Sequence, residues 1–196
     1  FSYTYGRNDV DFFINNTVNA SLGPNTPRSF QPGGYSQIDN NFNIDLGYAI
    51  PNNIFYSDIN FALGFEHRKE TFEIRAGDPN SFAIGPLAAP SLAYPGGQGF
   101  SSSSNCFGGF TPASAGSNSQ KNYAVYGELE FDVTDRLILQ GALRYEDFYD
   151  SFGGTTNYKV GGLFTVSDNL RIRSTYSTGF HAPTAGQANV TNITTQ

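Results

Sequence analysis

The chain has 196 residues, with 22 Gly, 10 Pro, 18 Phe and 12 Tyr, one Cys, and neither Met nor Trp. Charged residues are 14%, against roughly 25% in ordinary soluble domains, and neutral Asn, Ser and Thr fill the gap. A formal charge of −6 with 11 bases excludes the basic face that nucleic acid requires, and the aromatic density excludes a disordered chain.

In chain order, Phe1, Tyr3 and Tyr5 form the tail of a first strand, and a polar loop is expected over 8–36. Phe42, Ile44, Leu46, Tyr48 and Ile50 then share one face, opposite Asn43, Asp45, Gly47 and Ala49. Ile59, Phe61, Leu63 and Phe65 repeat the pattern, and a second long loop is expected over 76–121, rich in Pro, Gly and Ser. Four further alternating segments follow: 122–132, 136–148, 157–166 and 170–180. Alternation of this length, repeated this often, is the strand signal. The turns at Pro51–Asn53, Thr134–Asp135 and Ser167–Asn169 are short, so consecutive strands must pair antiparallel. No run reaches the ~18 apolar residues of a membrane helix. The fold class is therefore all-β, an antiparallel up-and-down sheet of about seven strands, with residues 1–196 forming part of a single β-barrel domain.

Short turns at one end and long loops at the other match outer-membrane barrels. There the apolar face meets lipid and the polar face lines a lumen, whereas in a soluble β-sandwich the apolar face is the core. Tyrosines and phenylalanines near strand ends, such as Tyr48, Tyr123, Tyr145, Tyr158 and Tyr176, favour the membrane reading. A sandwich that binds carbohydrate stays as the alternative from a different class. A passive porin is the alternative from the same location.

Catalytic and metal chemistry find little support. The two histidines, His67 and His181, lie far apart, no nucleophile or phosphate-loop motif occurs, and Cys106 has no CxxC partner. Asp78 and Asp150 lack the spacing of a calcium loop. No enzyme activity, cofactor or metal is expected. The glycosylation-like triplets at Asn15, Asn19, Asn189 and Asn192 are those an Asn- and Thr-rich chain produces by chance. Glu128 and Glu130 lie two apart and so share a strand face. With Arg144, Lys159, Arg171 and Arg173 they are the candidate lumen-facing polar residues, the arginines being available to pair with the glutamates.

Tyr123–Phe131, with Thr134-Asp-Arg-Leu-Ile-Leu-Gln-Gly-Ala-Leu-Arg-Tyr-Glu-Asp-Phe148, resembles the barrel of TonB-dependent outer-membrane receptors. So does Leu170-Arg-Ile-Arg-Ser-Thr-Tyr-Ser-Thr-Gly-Phe-His-Ala-Pro-Thr184. The family pattern Gly-Phe-Arg-Ala-Pro-Ser/Thr is matched by Gly179, Phe180, Ala182, Pro183 and Thr184, with His181 in place of Arg. The resemblance implies a 22-stranded-type barrel in the bacterial outer membrane with long extracellular loops, surrounding lipid, and a plug domain. It also implies an energy-coupling TonB-type protein and a small nutrient (siderophore, oligosaccharide or similar). About seven strands are too few to close such a barrel and no plug-like segment is visible, so the expected identity is an internal piece of a larger receptor.

Overall fold

The computed structural model describes residues 1–93, 95–104, 107–149 and 151–189; Cys106, Asp150 and Asn192, singled out above, lie outside them. Seven strands form one antiparallel sheet in the order β1 to β7. They are β1 (Ser2–Asn15), β2 (Ser29–Ile50), β3 (Ile59–Ala76), β4 (Gly116–Thr134), β5 (Leu137–Phe148), β6 (Gly153–Ser167) and β7 (Leu170–Ser177). Two short helices, α1 (Pro79–Phe82) and α2 (Ala185–Asn189), complete the described elements with a 3₁₀ turn at Ala20–Asn25. No helix among the described residues is long and apolar enough to cross a membrane.

The short turns are built by side chains that satisfy the backbone locally. Between β2 and β3, Asn52 Oδ1 accepts from the amides of Ile54 (2.9 Å) and Phe55 (2.7 Å), while its Nδ2 donates to the Ser57 carbonyl (2.9 Å). Between β4 and β5, Thr134 Oγ1 accepts from the amides of Arg136 (3.2 Å) and Leu137 (3.1 Å). The register follows: Tyr126 faces Arg144 across β4–β5, Arg144 faces Asn157 across β5–β6, and Phe164 faces Ile172 across β6–β7.

β1, β2, β4 and β6 are longer than alternation alone implies, whereas β7 stops at Ser177, short of the expected 180. The loop expected over 8–36 shrinks to 16–28, because β1 runs on to Asn15 and β2 begins at Ser29; that expected over 76–121 shrinks to 77–115. Polar residues obscured the pattern in these stretches, as in Arg7-Asn-Asp-Val-Asp11, and so did the run Pro32-Gly33-Gly34. Gly33 takes φ +104°, and a Cβ there would sit 2.9 Å from the Gly77 amide and closer to the Arg75 carbonyl. Only glycine lets the two backbones approach in this way.

The chain divides into two compact units. The first comprises Phe1–Tyr5, Asp39–Glu70 and Gln120–Pro183; the second comprises Gly6–Ile38, Thr71–Ser119 and Thr184–Gln196. In the first unit the apolar strand face is exposed among the described residues. Leu143 is 56% exposed, Val160 54% and Ile172 57%, with Leu139, Phe164 and Leu170 also exposed and Leu137 half-buried. Ala124 and Phe148 are its buried apolar residues among those described. A soluble sheet would cover such a face with a second layer. In the second unit Phe30, Ile74, Ala88 and Ala185 are buried, together with the polar Asn19, Ser21, Ser36, Ser81 and Ser104.

Candidate functional site

The polar face of the first unit is organised around Arg144, at the middle of β5. Its Nη2 donates to Glu66 Oε2 at 3.1 Å and to Glu146 Oε1 at 3.4 Å. Glu146 is two residues along the same strand and therefore on the same face. Glu66 reaches across from β3. The Asn122 side-chain amide donates to Glu146, and the guanidinium carbon lies 5.8 Å from the centre of the Tyr126 ring, within cation–π range. The Tyr126 hydroxyl in turn donates to Asp45 on β2. A continuous line of polar contacts thus spans β2 to β5. Such a line is stable where water reaches it and costly where lipid does.

Glu128 and Glu130 share this face with Arg144 but do not pair with it. They border a groove of about 450 Å³ floored by Gly47, Ala49 and Ala62, with Asn60 at its side. The pairing anticipated between these glutamates and Arg144, Arg171 or Arg173 is absent among the described residues. The register explains it. Glu128 faces Ala142 and Glu130 faces Gln140, while Arg144 is held by Glu66 and Glu146. Arg171 and Arg173 lie on β7, opposite Thr165 and Leu163 and three strands from β4, or roughly 14 Å at the usual strand spacing. Lys159 borders a second groove of about 430 Å³ with Glu66, Tyr126, Glu128, Arg144 and Asn157. Glu66, Glu146, Tyr126 and Asp45 were not singled out from the sequence, although the Arg144-Tyr145-Glu146 spacing carried part of the signal.

The opposite face carries aromatic groups near the strand ends. Tyr123 stacks on Tyr149 at 6.1 Å, and the hydroxyls of Tyr123 and Tyr145 donate to Asp147 Oδ2 at 3.2 and 3.3 Å. Tyr158 lies 6.0 Å from Tyr176. His67 is 3.5 Å from the Tyr149 hydroxyl through Nε2.

In the second unit the β1–β2 and β3–β4 connections are stitched together. Asn19 Nδ2 donates to the carbonyls of Asn80 and Ala83, both at 2.9 Å, and its Oδ1 accepts from Ser21 Oγ at 2.7 Å. Ser21 Oγ then accepts from the Gly85 amide at 2.9 Å. Asn19, part of a glycosylation-like triplet, is fully buried in this structural role. Asp78 caps α1 through the Ser81 amide and also accepts from the Gln31 amide at 2.6 Å. Phe107 packs on Phe12 at 5.3 Å, and Tyr35 stacks on Phe72 at 5.4 Å. Arg75 bonds Asp11 at 2.8 Å and lies 3.6 Å from Asp9, which also accepts from Arg7 at 2.7 Å and Ser36 at 2.5 Å. The bond from Arg7, reinforced by Ser36, holds the Asp9 carboxyl down at about 2.

The segment Gly179–Thr184 follows β7. Phe180 packs edge-on against Phe148 at 6.2 Å, and His181 is exposed. Thr184 and Gln187 exchange amide-to-side-chain bonds, with Gln187 Oε1 accepting from the Thr184 amide and Thr184 Oγ1 from the Gln187 amide. This is the capping-box arrangement at the start of α2. Among the described residues no cluster of three His, Cys, Asp or Glu could hold a metal.

A single sheet with a bare apolar face, a wired polar face and stitched loops is the build of a membrane barrel wall. A family model described as TonB dependent receptor-like, beta-barrel, matches residues 1–196. The chain belongs to that family. No curated protein and no solved structure matches it. TonB-dependent receptors form a family of receptors and transporters, not of enzymes. Membership implies a bacterial outer-membrane barrel that in general works with a plug and with TonB.

Proposed function

We propose that this chain is part of the wall of an energised importer of a small nutrient such as a siderophore or oligosaccharide. Its apolar face meets lipid, while Glu128, Glu130, Arg144, Lys159, Arg171 and Arg173 face the lumen. The stitched loops stand at the ligand-facing end. The observation that carries this reading is the opposition of two faces in the first unit: Leu143, Val160 and Ile172 bare on one, the Arg144 network on the other. Lipid tolerates that arrangement in one orientation only, since Arg or Lys at the bilayer midplane costs roughly 2–4 kcal/mol. The soluble sandwich loses its support, because the single sheet has no second layer over its apolar face among the described residues.

The remaining rival is a passive porin. Uptake by cells carrying the full receptor separates the two, using radiolabelled ferric siderophores and oligosaccharides as probes. An energised importer loses accumulation of its probe when the TonB-type protein is deleted or the proton gradient collapsed. A porin takes up small solutes unchanged under both treatments and conducts ions in a planar bilayer without ligand.

A further inference from the structure

We propose that Gly64 and Tyr126 form a register lock that aligns β4 on β3 during assembly of the sheet. The Tyr126 ring lies over the bare backbone of Gly64. A Cβ there would sit 2.5 Å from Tyr126 Cε1 and closer to Cζ and the hydroxyl. Across that gap the hydroxyl reaches Asp45 on β2, while Arg144 on β5 lies beside the ring and bonds Glu66. One side chain therefore reads three other strands at once.

The lock stands where the chain needs one. Hairpin turns fix the register of the strands they join, and β2–β3, β4–β5, β5–β6 and β6–β7 all have short connections. The β3–β4 pair is joined instead through residues 77–115, a connection too long to set an alignment. A slip of one residue turns Tyr126 to the apolar face. A slip of two places its ring over Ala62 or Glu66, the same-face neighbours of Gly64 on β3, where a side chain already occupies the space. In the slip onto Ala62, Glu66 is also carried further from Arg144, its native partner. Only the native alignment puts a glycine under the ring, which is a device against the wrong pairing as much as for the right one.

The test uses the full receptor in outer membranes, reading folded protein by its heat-modifiable mobility on gels. Gly64→Val introduces a branched side chain under the ring and lowers the folded level by about tenfold, as overpacking does. Adding Tyr126→Ala to Gly64→Val removes the ring and returns the level to within about twofold of Tyr126→Ala alone, the non-additivity expected of residues in contact. Tyr126→Phe keeps the ring, loses the bond to Asp45 and has the smaller effect. The proposal is overturned if Gly64→Val assembles like the wild type, or if the double variant is no better than Gly64→Val. Because the readout is assembly, neither outcome depends on which nutrient is carried.

Discussion

The two units of this chain solve opposite problems. In the first, apolar side chains remain bare and polar side chains find one another, so the sheet is inverted relative to a soluble one. In the second, buried polar groups such as Asn19, Ser21 and Ser81 satisfy loop backbone, and aromatic rings such as Phe12 and Phe107 pack on one another. The difference follows from solvent. A strand in lipid has its backbone paired by its neighbours and gains by exposing apolar atoms. A long loop in water has no ladder, and each buried amide or carbonyl must be met by a side chain.

The largest expected effect breaks the first unit. Leu143→Arg places a cation on the apolar face at mid-strand and destabilises the folded receptor by roughly 2–4 kcal/mol, read by denaturant unfolding in lipid vesicles. Phe13→Arg, at an exposed position of the second unit, changes stability by less than about 0.5 kcal/mol.

The complementary change breaks the second unit and spares the first. Asn19→Ala removes both donors to the Asn80 and Ala83 carbonyls and costs about 1–3 kcal/mol of local stability. Hydrogen exchange would accelerate over 19–26 and 80–88 while β5 and β6 stay protected. Equal acceleration in β5 would merge the two units into one cooperative body.

The strand order, the consecutive antiparallel pairing and the grouping of residues by face were legible in the sequence, because a period of two fixes which residues share a face. The partners of Arg144 were not. Alternation places Glu128 and Arg144 on one face, but the register sets Glu128 against Ala142 and Arg144 against Tyr126, and the carboxylates that reach Arg144 are Glu66 on β3 and Glu146 two residues along its own strand. The extent of β1 and β2 was hidden for another reason. Here Asp9, Asp11 and Ser36 stand at strand positions and are satisfied by one another and by Arg7 and Arg75, so polar residues take the place of apolar ones and the pattern loses its contrast. The loop stitching was invisible, since Asn19 and its acceptors lie some sixty residues apart.

A smaller effect sharpens the polar network. Arg144→Gln leaves Glu66 and Glu146 without their cation. The site is part-exposed and screened, so the loss is about 1 kcal/mol and shrinks in high salt. Smaller still is the acid response of the second unit. Asp9 is held at about 2, below its ordinary 3.8; its contribution is therefore complete above pH 4 and lost as the pH falls from 4 towards 2. Protection of the β1 amides around Asp9 should fall across that window, and Asp9→Asn should flatten the response. Arg7, Arg75 and Ser36 are the groups that face it, and Asp11 shares Arg75 with it.

The central claim is that the two sheet faces meet different solvents, and site-directed spin labelling of the full receptor in lipid tests it residue by residue. Labels at 143, 160 and 172 should relax faster with lipid-soluble oxygen, and labels at 142, 159 and 173 with a water-soluble nickel complex. That alternation, reversing at every step along β5, β6 and β7, is the predicted result. Uniform water access on both faces, or oxygen access on the face of Lys159 and Arg173, would contradict the account.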